Sequence, residues 1–236
     1  MNKKFLKEDI LVVEDFLSAD ECARIIKWMD FIVEKGIIKW NPISFYESYA
    51  MGFFEEDYFL QIFGFPKDYM NQIKAKMKAI VEEVIGEPAK EITFHTQKWI
   101  PGAFASFHSD NSTNGVYNAF TRSRYAAFLY LNDNFEGGAL NFRDHPITIQ
   151  PKTGMVVAFN GSHENEHEVQ LVKKSDRYTI GSFWDKASNT YSQETLDAWE
   201  KELAETRADQ AKEQEKWKNL KEQGIIVSPK DEGAKQ

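Results

Sequence analysis

The chain has one cysteine, Cys22, among 236 residues. No intrachain disulfide can form, and a reducing, cytoplasmic setting is the simplest expectation. A surplus of positive charge is also missing: 29 Lys and Arg stand against 37 Asp and Glu, a formal net charge of −8. That balance argues against a general nucleic-acid footprint. Long hydrophobic runs are absent too. The opening MNKKFLKEDILVVEDFL has no uninterrupted apolar stretch and no small-residue cleavage site, so neither a secretory signal nor a membrane span is expected.

What is present is core material. Apolar residues make up 42% of the chain and aromatics 14%, with eighteen Phe, a globular composition. The length suits one well-buried core. We expect a single domain over residues 1–190, with a helical part at 1–90 and a strand-rich core at 91–190. A charged helix and tail would follow at 191–236.

Ile10 to Phe16 carries a β-branched run, and Ser18-Ala-Asp-Glu21 has the spacing of a capping box. Cys22, Ile25, Ile26, Met29 and Val33 then recur at helical spacing up to Gly36. Residues 37–65 are dense in aromatics without a clean period. They read as irregular chain over the core, or as part of a substrate wall. Pro66 opens a second helix with Tyr69, Ile73, Met77, Ile80 and Val84 on one stripe, closed by Gly86-Glu-Pro88.

From residue 91 the period changes to two. Glu91–Ile100, Phe104–His108, Arg124–Leu131, Ile147–Ile149, Met155–Phe159, His167–Val172 and Arg177–Trp184 read as short strands. Ser109–Ser123 between them is polar and reads as a loop. Both faces of Arg124–Leu131 are largely apolar, as a strand covered on two sides requires. Arg124, Ala126, Phe128 and Tyr130 share one face. Helices first, then short antiparallel strands, fits an α+β chain built on a sandwich or barrel. Glu194–Gln223 is rich in Glu, Lys, Ala and Gln, a strong helix former. Leu196, Trp199 and Leu203 could pack it on the domain.

The chemistry gathers around His108-Ser109-Asp110. On an extended chain, residues two apart point the same way, so an imidazole and a carboxylate converge. With a second histidine downstream, this is the donor set of a 2-His-1-carboxylate facial triad, which suits non-haem Fe(II). His167 and His163 both offer that third donor. His95 and His145 read as structural or solvated. Arg124 shares the inward parity of Tyr130, and an inward arginine needs a partner: an acid of this chain, or a substrate carboxylate. Tyr117, Asn118 and Arg122 are candidates to line a substrate entrance.

These elements resemble, in order, the 2-oxoglutarate- and Fe(II)-dependent dioxygenases, and within them the prolyl 4-hydroxylase-like branch. The resemblance covers roughly residues 10–185. It rests on the opening near Ile10 and on Trp99-Ile-Pro-Gly102 with His108-Ser-Asp110. It continues through Arg124 to Tyr130-Leu-Asn-Asp133 with Glu136-Gly-Gly138, then Pro151-Lys-Thr-Gly154 leading to Phe159. His167-Glu-Val169 and Arg177, ten residues after the histidine, complete it. The resemblance implies a double-stranded β-helix (jelly roll) with N-terminal supporting helices, to which this chain adds its charged C-terminal helix. His108, Asp110 and His167 would take iron, and the spacing to Arg177 favours His167 over His163. Arg177 would bind the distal carboxylate of 2-oxoglutarate through its planar fork, with Tyr130 and Trp99 beside it.

The implied reaction couples decarboxylation of 2-oxoglutarate to succinate and CO2 with hydroxylation of a C–H bond, using O2, with ascorbate as a reductant. Two residues depart from the prolyl hydroxylases: Trp99 stands where a tyrosine is usual, and Ala126 where several have threonine. Asp110 stands where related halogenases carry a small residue, so hydroxylation is expected. A peptide- or protein-linked proline is the favoured substrate. A free amino acid or other small molecule is the alternative, and a non-catalytic jelly roll used for binding is a third reading. No nucleic-acid or membrane partner is expected. A homo-oligomer would form through the C-terminal helix.

Overall fold

The computed structural model describes residues 1–35, 41–43, 48–52, 60–113, 116–117, 120–201 and 204–205. Two β-strands open the chain, β1 (Asn2–Lys7) and β2 (Ile10–Glu14), followed by helix α1 (Ala19–Glu34). Ser18 caps α1 through the box its spacing predicted. Its hydroxyl accepts from Glu21 N–H at 3.2 Å, and Ser18 N–H donates back to the Glu21 carboxylate at 2.9 Å. Tyr69 OH donates to the other Glu21 oxygen at 2.5 Å, tying α1 to the first residue of α2 (Tyr69–Ile85). Gly86 ends α2 in the left-handed region, φ 76°, where its N–H reaches Glu82 O.

Two short strands, β3 (Asn41–Ile43) and β4 (Ser48–Gly52), lie in the stretch read as irregular. They extend the sheet from the edge of β5 (Ala89–Trp99). A period-two search misses them because neither Asn-Pro-Ile nor Ser-Tyr-Ala-Met-Gly carries an alternation long enough to register. Then come β6 (Ala105–His108), β7 (Ser112–Thr113), β8 (Val116–Tyr117), β9 (Tyr125–Tyr130), β10 (Glu136–Gly137), β11 (Leu140–Phe142), β12 (Thr148–Ile149) and β13 (Val156–Asn160). The last three are β14 (His167–Val169), β15 (Val172–Lys173) and β16 (Arg177–Lys186). The polar loop at 109–123 thus holds a small hairpin, β7–β8. The run His167–Val172 divides between two sheets at Gln170-Leu171.

Among the described residues all strand pairs are antiparallel. An eight-stranded sheet runs β1-β2-β13-β9-β16-β5-β4-β3, and a four-stranded sheet runs β12-β11-β14-β6. This is an α+β fold with the two-sheet construction of a double-stranded β-helix. The first ninety residues supply α1 and α2 and also four strands of the large sheet. Residues 193–201 are helical, and Trp199 sets its ring against Tyr191 at 4.7 Å. Residues 204–205 are helical as well; Leu203 and the remainder of the charged helix lie outside the described residues.

Alternation on the large sheet separates two cores. Ala127, Leu129, Val156, Ala158, Tyr178, Ile180 and Trp184 face the helices and pack with Ile25, Met29, Ile73 and Met77. Ala126, Tyr130, Val157 and Phe159 face the small sheet and meet Leu140, Phe142 and Ile149. A one-residue slip in β9 or β16 would exchange these sets, so the helix face fixes the register of the cleft face. Cys22 belongs to the helix core, where burial pushes its thiol up to about 12, an inert position.

Candidate active site

His108 ends β6, and His167 begins β14 directly opposite it in register. Their rings lie 4.5 Å apart. Asp110 enters from the loop after β6, and its Oδ1 is 3.9 Å from His108 Nε2 and 3.7 Å from His167 Nε2. Donor atoms of all three residues fall within 4.8 Å of one another. His163, the competing histidine, sits on an exposed 3-10 turn beside Glu164, outside this group.

Both imidazoles are oriented from behind. His108 Nδ1 lies 2.7 Å from Ser106 O, and His167 Nδ1 lies 3.0 Å from Asn165 O. Each Nδ1–H donates to a carbonyl, which leaves Nε2 unprotonated and directed at the common point. Burial and the neighbouring His108 push His167 down to about 3, and burial lowers His108 as well. Burial raises the Asp110 carboxyl well above its usual range, and its Oδ2 is sealed from solvent with no hydrogen-bond partner. Two neutral imidazoles and an orphaned carboxylate in a partly buried niche fit a divalent cation, whose charge would return Asp110 to its ionised form.

The walls explain why the niche holds this shape. A Cβ on Gly161 would lie 2.1 Å from Asp110 Oδ2, so the carboxylate occupies space that only glycine leaves free. Gly161 O also accepts from Asp110 N–H at 2.8 Å. Asn165, 1% exposed, is clamped in turn: its Nδ2 donates to Asp9 Oδ2 at 2.7 Å and to Asn160 O at 2.9 Å, and its Oδ1 accepts from Lys7. The turn of the N-terminal hairpin thereby braces the residue that orients His167. Sequence reading missed Gly161 and Asn165. Their only local signal is the Asn160-Gly-Ser turn composition.

Arg177 begins β16 on the cleft face, paired with Trp99 of β5. It is 3% exposed. No Asp or Glu among the described residues forms an ion pair with it. Its Cζ sits 5.0 Å from the Tyr130 ring and 5.3 Å from the Trp99 ring, a cation held by aromatic faces. Arg177 Nε and Tyr130 OH are both buried without hydrogen-bond partners. Burial opposes the Arg177 charge and raises the Tyr130 hydroxyl. The guanidinium and the phenol partly stabilise each other, and a buried arginine with an unused Nε–H beside a tyrosine hydroxyl suits a carboxylate ligand. Trp99 turns its Nε1–H to Gln97 Oε1 at 3.3 Å, so it contributes a ring where a tyrosine would contribute a hydroxyl.

Arg124 finds its partner within the chain. Its Nε lies 3.5 Å from Asp185 Oδ1. Asp185 is itself buried and accepts from Asn189 Nδ2 and Tyr191 OH, both at 2.7 Å. Arg122 is half-buried in the turn before β9. Tyr117 is described only as backbone in β8, and Asn118 lies outside the described residues. Among the described residues, no helix is long and apolar enough to cross a membrane.

Residues 94–185 match the 2OG-Fe(II) oxygenase superfamily, a span that contains the triad and Arg177. Prolyl 3-hydroxylase 2 of Rattus norvegicus is 30% identical over 119 residues, covering 48% of this chain and 16% of that protein. Prolyl 3-hydroxylase 1 of Gallus gallus is 40% identical over 67 residues, or 26% of this chain and 9% of that one. The chain therefore spans only a small part of these relatives. Among solved structures, the viral collagen prolyl hydroxylase of Paramecium Bursaria Chlorella virus-1 superimposes with a TM-score of 0.55. That match has 17% identity over 76% of this chain and 96% of the other. A Trichoplax adhaerens prolyl hydroxylase, in complex with a hypoxia inducible factor peptide fragment, gives 0.56 at 13% identity over 76% and 84%. At such identities the structures speak to the fold. The chain carries a 2-oxoglutarate/Fe(II) oxygenase superfamily domain with prolyl-hydroxylase-like relatives, and its His-Asp-His facial triad is intact.

Proposed function

We propose that the protein is an Fe(II)- and 2-oxoglutarate-dependent dioxygenase that hydroxylates a proline, or a similarly placed residue, within a peptide or protein. The observation that carries the reading is Arg177, a buried cation without an acid partner among the described residues, on the cleft face of the sheet opposite the triad. His108, Asp110 and His167 would hold the metal through Nε2, a carboxylate oxygen and Nε2. Iron bound there supplies the oxidative decarboxylation of 2-oxoglutarate to succinate and CO2, coupled to oxygen insertion into a C–H bond. The chain orients and shields. Arg177 and Tyr130 take the distal carboxylate, and the Ser106 and Asn165 carbonyls keep both imidazoles in the metal-binding tautomer. Phe159, whose ring lies 4.7 Å from that of His167, with Phe142 and Phe128 behind it, excludes water.

A peptide substrate is preferred to a free amino acid for a physical reason. A free amino acid brings a carboxylate that needs a cation, and the inward Arg124 is already engaged by Asp185. The two sequence relatives named above are prolyl 3-hydroxylases, and one structural relative holds a peptide. The test is succinate release by the iron-loaded protein in the presence of proline-containing peptides and, separately, free amino acids. Peptide-dependent release with hydroxyproline in the product supports the reading. Release stimulated only by free amino acids replaces the substrate, and failure to bind 2-oxoglutarate at all ends it.

A further inference from the structure

The cleft face carries a second polar group that the triad and Arg177 leave unexplained. On β5 the residues His95, Gln97 and Trp99 share the inward face, and register sets them beside Gly181, Thr179 and Arg177 of β16. Phe128 of β9 flanks Gly181 from the other side. Gly181 leaves the floor of the cleft open: a Cβ there would come 3.1 Å from Phe128 Cε1 and 3.4 Å from His95 Nε2. The His95 ring lies over this floor, nearly parallel to Phe183 at 5.9 Å. It stands two rows from Arg177, in the direction of Phe183, which meets Ala126 across the register.

Hydrogen-bond chemistry assigns the proton on this imidazole. Indole Nε1 can only donate, so its contact with Gln97 defines the amide atom it meets as the oxygen. The same oxygen accepts from Thr179 Oγ1 at 3.2 Å. Gln97 Nε2 is therefore the amide donor, and it lies 3.1 Å from His95 Nε2. That nitrogen must be the lone-pair acceptor. Burial pushes the His95 pKa down to about 4, so near neutral pH the ring carries one proton, on Nδ1. Nδ1 has no hydrogen-bond partner among the described residues. The relay Trp99–Gln97–His95 turns the residue beside the Arg177 anchor into a device that fixes a donor further along the cleft.

We propose that His95 is a co-substrate-binding residue whose Nδ1–H donates to a carboxylate or keto oxygen of the bound 2-oxo acid. This rests on the functional reading above and adds to it a second, uncharged anchor beyond Arg177. It gives the relay a purpose: a histidine free to adopt the Nε2–H tautomer would present the Nδ1 lone pair to an anionic ligand, and Gln97 forbids that.

Two measurements test it. Long-range ¹⁵N–¹H correlation on the metal-free protein reports the His95 tautomer, which should be Nδ1–H, with an Nε2 shift typical of an acceptor. An Nε2–H pattern overturns the assignment. Anaerobic titration of 2-oxoglutarate into the Fe(II) protein then compares three substitutions. His95→Phe should weaken binding about tenfold to a hundredfold, as loss of a hydrogen bond to a charged group implies. His95→Asn keeps an N–H close to the Nδ1 position and should recover most of the affinity. His95→Gln keeps a polar group only near Nε2 and should resemble the phenylalanine variant. Wild-type affinity in His95→Phe, or better binding by Gln than by Asn, would show that His95 merely buttresses Gln97. Wild-type protein that binds no 2-oxoglutarate removes the functional reading as well, so the two failures are distinct.

Discussion

The carboxylate of Asp110 rests on the bare Cα of Gly161, with Oδ2 only 2.1 Å from where a methyl group would stand. Gly161 is not in the left-handed region, so alanine there suits the backbone and acts through the clash alone. Gly161→Ala should weaken Fe(II) or Co(II) binding about 10–100-fold by turning the carboxylate aside. The fold should remain intact by circular dichroism. Unchanged metal affinity would mean that Asp110 has slack to move.

The triad itself makes a sharper contrast. Asp110→Ala and His167→Ala should each lose stoichiometric iron under anaerobic titration. His163→Ala should keep it, because that ring is exposed and outside the donor group. The opposite outcome for the two histidines would transfer the ligand role to His163.

Arg177 is the test of the co-substrate site. Breaking a buried charge pair costs about 3–5 kcal/mol, so Arg177→Ala should weaken 2-oxoglutarate binding by about two to four orders of magnitude while iron stays bound. Arg177→Lys should retain part of the affinity, since charge survives and the planar fork does not. Tyr130→Phe should cost about 0.5–1.5 kcal/mol, one ordinary hydrogen bond. Binding by Arg177→Ala within threefold of wild type would make the residue structural.

His95 should leave a signature in acid. Its folded pKa is about 4 against an ordinary value of 6.5. Between those values the unfolded chain takes up a proton that the folded chain refuses. Stability therefore falls as pH drops from 6.5 towards 4, and this contribution levels off below 4. His95→Phe should lack that contribution, so the slopes of unfolding free energy against pH should differ by up to about 1.4 kcal/mol per pH unit. Denaturant titrations of both metal-free proteins from pH 4.5 to 7 measure this, and the shared effects of Asp110 and His167 cancel in the difference. Parallel curves would show that His95 titrates normally in the folded protein.

Asp185 should behave as a structural anchor. Asp185→Ala removes the carboxylate that Arg124, Asn189 and Tyr191 share and should destabilise the protein by about 3–5 kcal/mol. Asp185→Asn keeps an acceptor but loses the charge, and should cost less. Equal stability of all three proteins would place the Arg124 charge on another partner.

Residues close in the chain settle what local physics can settle. Ser18 and Glu21 make their capping box, Gly86 ends its helix, and the period-two runs of β9 and β16 sort their side chains between helix core and cleft, because these depend on backbone geometry over a few residues. Two-residue spacing put His108 and Asp110 within reach of one point, although Asp110 gets there from the loop after β6 rather than by strand alternation, and ordered motifs pointed to His167 and Arg177. Tertiary structure decided what distant residues do to one another. Nothing local in Arg124 specified that Asp185 rather than a ligand would face it. Nothing in Gly161 or Asn165 announced that one makes room for the carboxylate and the other aims the imidazole. The division of His167–Val172 between two sheets, the joining of β2 to β13 and the tautomer of His95 follow from strand register and from donors and acceptors brought together by long-range pairing. A pattern of single residues records which face a side chain takes; only the assembled sheets determine what stands opposite it.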